Sequence, residues 1–226
     1  MRVIAATKAT EEEFWRQRPL GLSLRRLQYD KRIIPDIAFN NKRGLPPVYN
    51  PRIQDAYRKE TLVFIHDDVF VDDYFLVDHA ESGLELFDVI GVAGNRRRVP
   101  GQPGWAFSAY DGARCAWDER RYLSGSVAHG AAPFGGVSHY GPTGVACELL
   151  DGVFLAAKCD VLLDAGVRFD IRFGFHFYDL DFCRTARDKG LRLGTWSIPI
   201  THGSGGGFGG EAWKSALLAY LVKWER

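Results

Sequence analysis

The sequence lacks an excess of charge of either sign, which argues against one large class of proteins. It carries 29 lysine and arginine residues against 28 aspartate and glutamate residues, for a formal net charge of +1. Nucleic-acid-binding proteins normally show a strong basic excess or a basic stripe. The run Arg96–Arg98 is short, and we interpret it as a solvated loop, with an anionic ligand as the alternative. No nucleic-acid partner is expected.

Long apolar runs are also missing. None approaches the roughly 18–20 residues that a membrane-spanning helix needs. The first residues, MRVIAATKATEEEF, combine a short apolar run with acids and do not resemble a signal peptide. We therefore expect a soluble, cytoplasmic protein that can still contact the inner face of a membrane at its periphery.

Cysteine is scarce, and the spacing of its four residues matches neither a common metal-binding motif nor a disulfide scaffold. The four residues Cys115, Cys147, Cys159 and Cys183 form no C-x-x-C pair, and the chain is large for a disulfide scaffold. The cysteines are expected to be reduced thiols, which agrees with a cytoplasmic location.

The sequence does contain a regular alternation of short apolar runs and helical segments. Hydrophobic residues make up 46% of the 226 residues, enough for a sizeable core. The alternation predicts an α/β fold with a mostly parallel sheet flanked by helices. The predicted strands are 3–6, within 33–39, 62–65, 89–93, 152–156 and 191–200. The predicted helices are 11–17, 53–59, 74–82, 160–165, 179–189 and one at the C-terminus.

The middle of the chain differs from this pattern. Residues 95–144 are rich in Gly, Pro, Ser and aromatic residues, as functional loops often are. We predict a single domain with an irregular insertion on the side of a second substrate. Residues 1–94 would form one half of the site, residues 95–210 the other half, and residues 211–226 a C-terminal helix.

Polar residues follow three predicted strands. Thr7 follows the first strand, Asn40 and Asn41 follow the second, and His66-Asp67-Asp68 follow the third, in the segment TLVFIHDDVF. In an open α/β sheet, ligands bind beyond the carboxyl ends of the strands. The sequence therefore predicts the mouth of a polar-ligand site at this edge.

Three groups of residues are candidates for the chemistry of this site. The pair Asp67-Asp68 suits a hard divalent cation, with a helix cap and a surface acid as the alternative. His202 stands at another strand end, before the glycine-rich segment 203–210, and is a candidate metal or phosphate contact or a structural histidine. Asp179 and Asp181 start a helix and diverge by about 200°, so only one can enter a pocket. We favour Asp179 as general base, although the reverse assignment stays open.

Four ordered segments carry a family resemblance. A hydrophobic strand with HDDV is followed by LDGVFLAAK, by FDIRFGFHFYDLDFC and by PITHGSGG, after an upstream GLPPVYNPRIQDA. Over roughly residues 3–210 this order resembles a glycosyltransferase of the GT-A fold, in particular the family-2-like bacterial enzymes of surface polysaccharide synthesis. Three positions depart from the family pattern. His66 replaces the first acid of D-x-D, Tyr178 replaces the Glu of Glu-Asp, and Arg52 replaces a loop Gly.

The resemblance implies a GT-A type, Rossmann-like fold and a role for each matching residue. Asp68 and His202 would bind Mn²⁺ or Mg²⁺, and Asp179 would be the catalytic base of an inverting enzyme. The nucleotide-binding residues would be Thr7, Asn40, Asn41, Asp67 and Asp68. The sugar- and acceptor-binding residues would be Asp151, Gly152 and Asp181.

The resemblance also implies the activity. A UDP- or GDP-linked sugar donor would transfer its sugar to a saccharide or lipid-linked acceptor. The alternatives are a metal-dependent phosphohydrolase or nucleotidyltransferase, and an inactive module that binds nucleotide sugars. The C-terminal stripe of Trp213, Leu217, Tyr220, Leu221 and Trp224 predicts core packing or a dimer contact, with membrane-surface docking as the alternative. The oligomeric state is open.

Overall fold

The computed structural model describes residues 1–204 and 207–225. The strands within these residues are β1 (Arg2–Ala6), β2 (Ile34–Ala38), β3 (Thr61–Ile65), β4 (Val69–Val71), β5 (Val89–Gly91), β6 (Ala93–Asn95), β7 (Phe107–Tyr110), β8 (Cys115–Trp117), β9 (Leu123–His129), β10 (Gly136–Gly141), β11 (Ala146–Cys147), β12 (Leu149–Leu150), β13 (Phe154–Lys158), β14 (Leu193–Thr195) and β15 (Ile200–His202). The helices are α1 (Glu11–Gln17), α2 (Pro19–Arg26), α3 (Pro46–Tyr49), α4 (Leu76–Leu86), α5 (Cys159–Asp164), α6 (Tyr178–Asp188) and α7 (Glu211–Trp224).

The largest sheet has the strand order β11-β14-β5-β13-β3-β1-β2. Its β1 is parallel to β2 and β3, while β13 runs antiparallel to both β3 and β5, and β14 is parallel to β5. The strands β2, β1, β3, β5 and β14 therefore share one direction. The predicted α/β class, a single domain with a mostly parallel sheet flanked by helices, is confirmed.

This sheet is covered on both faces. In β3 the side chains of Leu62 and Phe64 belong to one hydrophobic cluster, and those of Val63 and Ile65 belong to another. Successive side chains of a strand point to opposite faces, so a strand buried on both sides reads as a continuous apolar run. This explains why TLVFI contains no alternation of polar and apolar residues.

A second sheet has the order β12-β6-β9-β15-β4, with β10 added to β9. The chain passes from the larger sheet to the smaller one four times. The connections are His66–Asp68 between β3 and β4, Val92 between β5 and β6, Glu148 between β11 and β12, and residues 196–199 between β14 and β15. The junction of the two sheets therefore places several sequence-distant connections side by side.

Several local predictions are confirmed. Helix α1 begins after Thr10, whose hydroxyl accepts from the Glu13 N–H while the Glu13 carboxylate accepts from the Thr10 N–H, as a capping box requires. Helix α6 ends before Gly190, which has a φ of 82°. The C-terminal helix buries Trp213, Leu217 and Tyr220 in the core, as predicted for its stripe.

Other predictions are wrong. Residues 53–59 form no α-helix and contain a single 3₁₀ turn at Asp55–Tyr57, while α2 was not predicted. The insertion, predicted to be irregular, also contains paired strands, since β7 pairs with β8 and β9 pairs with β10. The predicted strand 191–200 is two strands in different sheets. For the insertion and for β14 and β15, strand pairing, which local propensity does not report, decides the structure.

All four cysteines are free thiols. No helix among the described residues has both the length and the apolar character needed to cross a membrane.

Candidate functional site

A cavity of about 640 Å³ opens at the junction of the two sheets. Its wall includes Ala6 at the end of β1, the connection His66–Asp68, and Asp151 just before β13. Side chains from the insertion and from the start of α6 complete it. The cavity thus lies beyond the carboxyl ends of the parallel strands, where the sequence predicted a polar-ligand site.

Three side chains converge in this cavity in an arrangement that suits a metal ion. One potential ligand atom each from His66, Asp68 and His202 lies within 4.8 Å of the other two. The Nε2 atom of His202 is 3.5 Å from Oδ1 of Asp68. The predicted pair Asp68 and His202 is therefore brought together. His66 joins it, although the sequence offered it only as a replacement for an acid.

Strand pairing holds these groups in place. His202 of β15 is paired with Val69 of β4, and the Gly203 N–H donates to the Asp68 carbonyl at 2.9 Å. Position 203 is tightly enclosed, because a Cβ there would approach the Asp68 carbonyl oxygen at 3.1 Å. The backbone ladder therefore fixes the approach of His202 to Asp68.

Charge in the cluster is balanced in a way that keeps Asp68 ionised. Burial alone would raise the pKa of the Asp68 carboxyl, but hydrogen bonds to His202 and Ser204 hold that pKa well below its usual range. The pKa of His202 is shifted upward by Asp68, although burial acts in the opposite direction. Burial lowers the pKa of His66 and favours the neutral imidazole. An anionic carboxylate and a neutral imidazole are the forms that bind metal ions. Asp68 and His66 are therefore in binding forms, whereas His202 would have to release the proton that Asp68 favours.

A second acid stands close to this cluster. Asp179 lines the cavity, and its Oδ2 accepts from the Gly152 N–H at 2.9 Å. Burial, together with the charge of Asp151, raises the pKa of Asp179 to about 7. A carboxylate with such a pKa can both hold and release a proton near neutral pH, as general acid–base catalysis requires.

Tyr178 links the two groups. Its hydroxyl lies 2.8 Å from Nε2 of His66 and donates to the Gly152 carbonyl at 2.7 Å. Gly152 thus contacts Tyr178 through its carbonyl and Asp179 through its N–H. A Cβ at this position would lie 2.3 Å from the Tyr178 hydroxyl oxygen, so only glycine fits here. Asp151 and Gly152, predicted together for the sugar and acceptor site, therefore have different positions. Asp151 lines the cavity, whereas the Gly152 backbone holds the side chains of Tyr178 and Asp179.

The turn before α6 is strained. Phe177 has a φ of 63°, in the left-handed region that non-glycine residues rarely adopt. Its ring is buried and packs on Trp213 and Tyr220, with centroid separations of 5.5 and 5.2 Å. This packing holds the turn that presents Tyr178 and Asp179 to the cavity.

Asp181 lies outside the cavity, so the structure does not support its assignment to the acceptor site. Its side chain is fully buried and forms an ion pair with Lys223 at 2.6 Å. The Trp224 indole N–H also donates to its Oδ1 at 2.8 Å. Arg184, three residues further along the same helix, pairs with Glu225 at 2.7 Å. The two acids do diverge as the helix period predicted.

Of the residues predicted to bind the nucleotide, Asp67 and Asp68 line the cavity, Thr7 contacts Asp67, and Asn40 and Asn41 lie outside the cavity wall. The Thr7 hydroxyl donates to Oδ2 of Asp67 at 2.6 Å, and the Arg18 guanidinium binds the same oxygen at 2.8 Å. Asp67 lines the cavity, whereas Thr7 supports it from behind. Asn40 and Asn41 follow β2 but do not line the cavity, and the Asn41 side chain contacts the Arg43 backbone.

Aromatic side chains form the wall of the cavity on the insertion side, and no sequence pattern distinguishes them individually. Trp105 and Tyr140 meet edge to face at 4.9 Å, and Phe107 meets Trp117 at 5.0 Å. Phe208, from the segment before α7, meets Phe107 edge to face at 5.1 Å. We call these five side chains the aromatic wall. The aromatic richness of residues 95–144 was the available signal, but only strand pairing shows which rings meet.

A buried polar network supports this wall. The Asn95 amide donates to the Trp105 carbonyl at 2.9 Å and to the Asp118 carboxylate at 2.8 Å. Asp118 also forms an ion pair with Arg97. Because these buried groups satisfy one another, the insertion is a defined structure that holds Trp105 at the cavity.

Comparison with known proteins adds a likeness in overall shape. No model of a known protein family matches the sequence, and no curated protein matches it. Among solved structures, S. aureus TarS residues 1–349 is 12% identical, with a TM-score of 0.48, over 89% of this chain and 59% of that one. A structure of S. aureus TarS is 11% identical, with a TM-score of 0.45, over 98% of this chain and 42% of that one. S. aureus TarS 1–349 in complex with UDP is 13% identical, with a TM-score of 0.43, over 88% of this chain and 60% of that one.

The chain thus spans between 42% and 60% of the length of these three TarS chains. Likenesses at this level do not say which residues of the present chain act, so function must follow from the residues of the site.

Proposed function

We propose that this protein is a metal-dependent glycosyltransferase that moves a sugar from a nucleotide-sugar donor to a hydroxyl acceptor with inversion. The observation that carries the proposal is the pairing, in one cavity, of a candidate metal cluster with a carboxylate whose pKa is about 7. The Tyr178–Gly152 contacts join the two.

The charge of the cavity supports metal dependence. Four aspartates line it, namely Asp67, Asp68, Asp151 and Asp179, while no lysine or arginine of the described residues does so. A donor diphosphate is anionic and would be repelled by such a wall. His66, Asp68 and His202 would hold a divalent cation there. The cation would neutralise the charge that develops on the departing diphosphate.

Asp179 would act as the base. The acceptor hydroxyl gives its proton to the free Asp179 carboxylate oxygen as its own oxygen forms a bond to C1 of the sugar. The bond between C1 and the diphosphate oxygen breaks, and the nucleoside diphosphate leaves with that electron pair. The Gly152 N–H holds the second carboxylate oxygen, which orients the base without consuming the oxygen that takes the proton.

The aromatic wall would form the acceptor side. Aromatic faces offer apolar area against which sugar rings can stack, and they exclude the water that would otherwise hydrolyse the donor. A saccharide, free or lipid-linked, is the acceptor class that such a wall favours. Asp151 lines the cavity and would contact the transferred sugar or the acceptor.

The edge at Thr7 and Asp67 would bind the nucleoside. Thr7 and Arg18 both bind Oδ2 of Asp67, so Oδ1 remains available for a ribose hydroxyl. Asn40 and Asn41 extend the same edge and would contact a uracil or guanine base. With a nucleotide-sugar donor and free thiols, this activity would operate in the cytoplasm or at the inner membrane surface.

The test is a screen of UDP- and GDP-linked sugars for nucleotide diphosphate release, with and without Mn²⁺ and saccharide acceptors. We expect release that needs metal and rises with acceptor, and a product that carries the sugar. NMR of the product anomeric centre tests inversion. Release of phosphate or sugar phosphate at an acceptor-independent rate would instead indicate a phosphohydrolase. Binding of nucleotide sugars without turnover would indicate a binding module.

A further inference from the structure

We propose that the cluster of His66, Asp68 and His202 selects a transition-metal ion of the Co²⁺, Fe²⁺ and Zn²⁺ class over Mg²⁺. This inference rests on the proposed function for its biological meaning, but it concerns metal binding by the protein alone. Its basis is a donor set of two imidazole nitrogens and one carboxylate oxygen. Imidazole suits the later transition metals, whereas Mg²⁺ prefers oxygen ligands and near-octahedral geometry.

The spacing of the donors fits one cation. Metal–ligand bonds of about 2.1 Å at angles between about 90° and 110° separate neighbouring ligand atoms by about 3.0–3.4 Å. Nε2 of His202 and Oδ1 of Asp68 lie 3.5 Å apart, and the three donors fall within 4.8 Å of one another. A small movement of side chains therefore brings all three to bonding distance.

The tautomer of His66 makes it a ligand. The Tyr178 hydroxyl has one proton, which it donates to the Gly152 carbonyl oxygen at 2.7 Å. Its contact with Nε2 of His66 at 2.8 Å must then be an acceptance from an Nε2–H. The proton of the neutral imidazole is thus on Nε2, and the lone pair is on Nδ1. A fixed proton partner on the far nitrogen is the usual support of a metal-binding histidine.

Two neighbouring carboxylates, Asp67 and Asp151, lie outside the cluster, which keeps the donor set rich in nitrogen. Asp67 is adjacent in sequence, but its Oδ2 binds Thr7 and Arg18. Asp151 accepts from the Val153 N–H through Oδ1 and is not part of the cluster. His66 occupies the position at which the D-x-D pattern has an acid, so the substitution converts an oxygen donor into a nitrogen donor.

The experiment uses metal-free protein without any nucleotide. Isothermal titration at pH 7.5 would compare Co²⁺, Zn²⁺, Mn²⁺ and Mg²⁺, and the visible spectrum of the Co²⁺ form would report nitrogen ligation. We expect one ion per chain and Co²⁺ affinity at least 100-fold above Mg²⁺ affinity. Equal affinities, or no stoichiometric binding of Co²⁺, would overturn the inference. This comparison needs no variant, so a folding defect cannot obscure it.

Two variants sharpen the test. His66→Asp should reduce the ratio of Co²⁺ to Mg²⁺ affinity at least tenfold, because it restores an oxygen donor. His176→Asp adds the same charge in the same cavity at a histidine outside the cluster, and should leave the ratio unchanged. Equal ratio changes in the two variants would mean that charge, not ligation, sets selectivity.

The proposed function can fail separately. Selective Co²⁺ binding without nucleotide release from any donor would leave the metal site intact and remove the glycosyltransferase. Nucleotide release that Mg²⁺ and Co²⁺ support equally, together with equal affinities for the two ions, would support the glycosyltransferase and overturn the metal selectivity.

Discussion

The first turn of α6 carries two aspartates whose surroundings differ, because one side of the turn faces the core and the other faces the cavity. On the core side, Asp181 is 0% exposed and is neutralised by Lys223, with the Trp224 indole as a further donor. On the cavity side, Asp179 has no cationic partner among the residues that the structure describes, and its contacts there are with backbone N–H groups. The acids are two residues apart on one helix. An acid that the protein neutralises serves the fold, whereas one left without a cation remains available for chemistry.

The largest expected effect follows from removing the cavity-side acid. Asp179→Asn should lower turnover by about 10²- to 10⁴-fold, the usual contribution of a positioned base, and should leave donor binding unchanged. Steady-state kinetics and titration with nucleoside diphosphate would measure the two. Asp188→Asn, at an exposed position of the same helix, is the matched control and should behave as the wild type. A loss below fivefold for Asp179→Asn would remove this residue from the reaction.

Removing one oxygen atom, the Tyr178 hydroxyl, tests the connection between Asp179 and the candidate metal cluster. Tyr178→Phe removes the hydroxyl that holds His66, and loss of such a partner typically costs 10- to 100-fold in metal affinity. Titration with Co²⁺ measures this. Tyr49→Phe removes another buried hydroxyl, which contacts the Ile65 carbonyl at 3.5 Å, and should not change metal affinity. Unchanged affinity in Tyr178→Phe would mean that the hydroxyl does not orient His66.

The core-side acid should affect stability. Asp181→Asn leaves Lys223 without its 2.6 Å partner, although Lys223 keeps a 3.0 Å contact with Asp170. The free energy of unfolding should fall by about 1–3 kcal/mol, a decrease of several degrees in Tm. Turnover per folded molecule should stay within a few-fold of wild type.

A double variant provides the control for this change. Asp181→Asn combined with Lys223→Met removes both charges and should recover part of the lost stability. If Asp181→Asn abolished turnover at full stability, the two acids would have exchanged roles.

The smallest expected effect is a dependence on pH. A base must be deprotonated, so with a pKa of about 7 the turnover should fall about tenfold from pH 8.5 to pH 6. Turnover at saturating Mn²⁺ measures this, because the metal ligands also take up protons in acid. A flat profile over this range would contradict the assignment.

The same shift has a consequence for stability. The unfolded chain loses this proton near pH 4, whereas the folded protein keeps it until about pH 7. The contribution of Asp179 to the free energy of unfolding therefore decreases as the pH rises between these values. Asp179→Asn should gain stability relative to wild type across this window, as measured by urea unfolding of metal-free protein.

Much of the site was predictable because it depends on local chemistry. The apolar run before His66-Asp67-Asp68 identified a buried strand with a polar end, and that end lines the cavity. The helix period separated Asp179 from Asp181 correctly. The acceptor role for Asp181 does not hold, because its partners Lys223 and Trp224 come from a helix about 40 residues later.

The sequence by itself determined the α/β class, the strand that ends in the cluster and the divergence of Asp179 from Asp181, since each follows from periodicity over a few residues. The tertiary structure decided which of the two acids faces the cavity. Only the tertiary structure decided that His66 joins Asp68 and His202, which lie far apart in the chain. It also decided that the Tyr178 hydroxyl, held by the Gly152 carbonyl, fixes the tautomer of His66. These outcomes depend on the junction of two sheets, where strand pairing brings residues together over distances that no local pattern records.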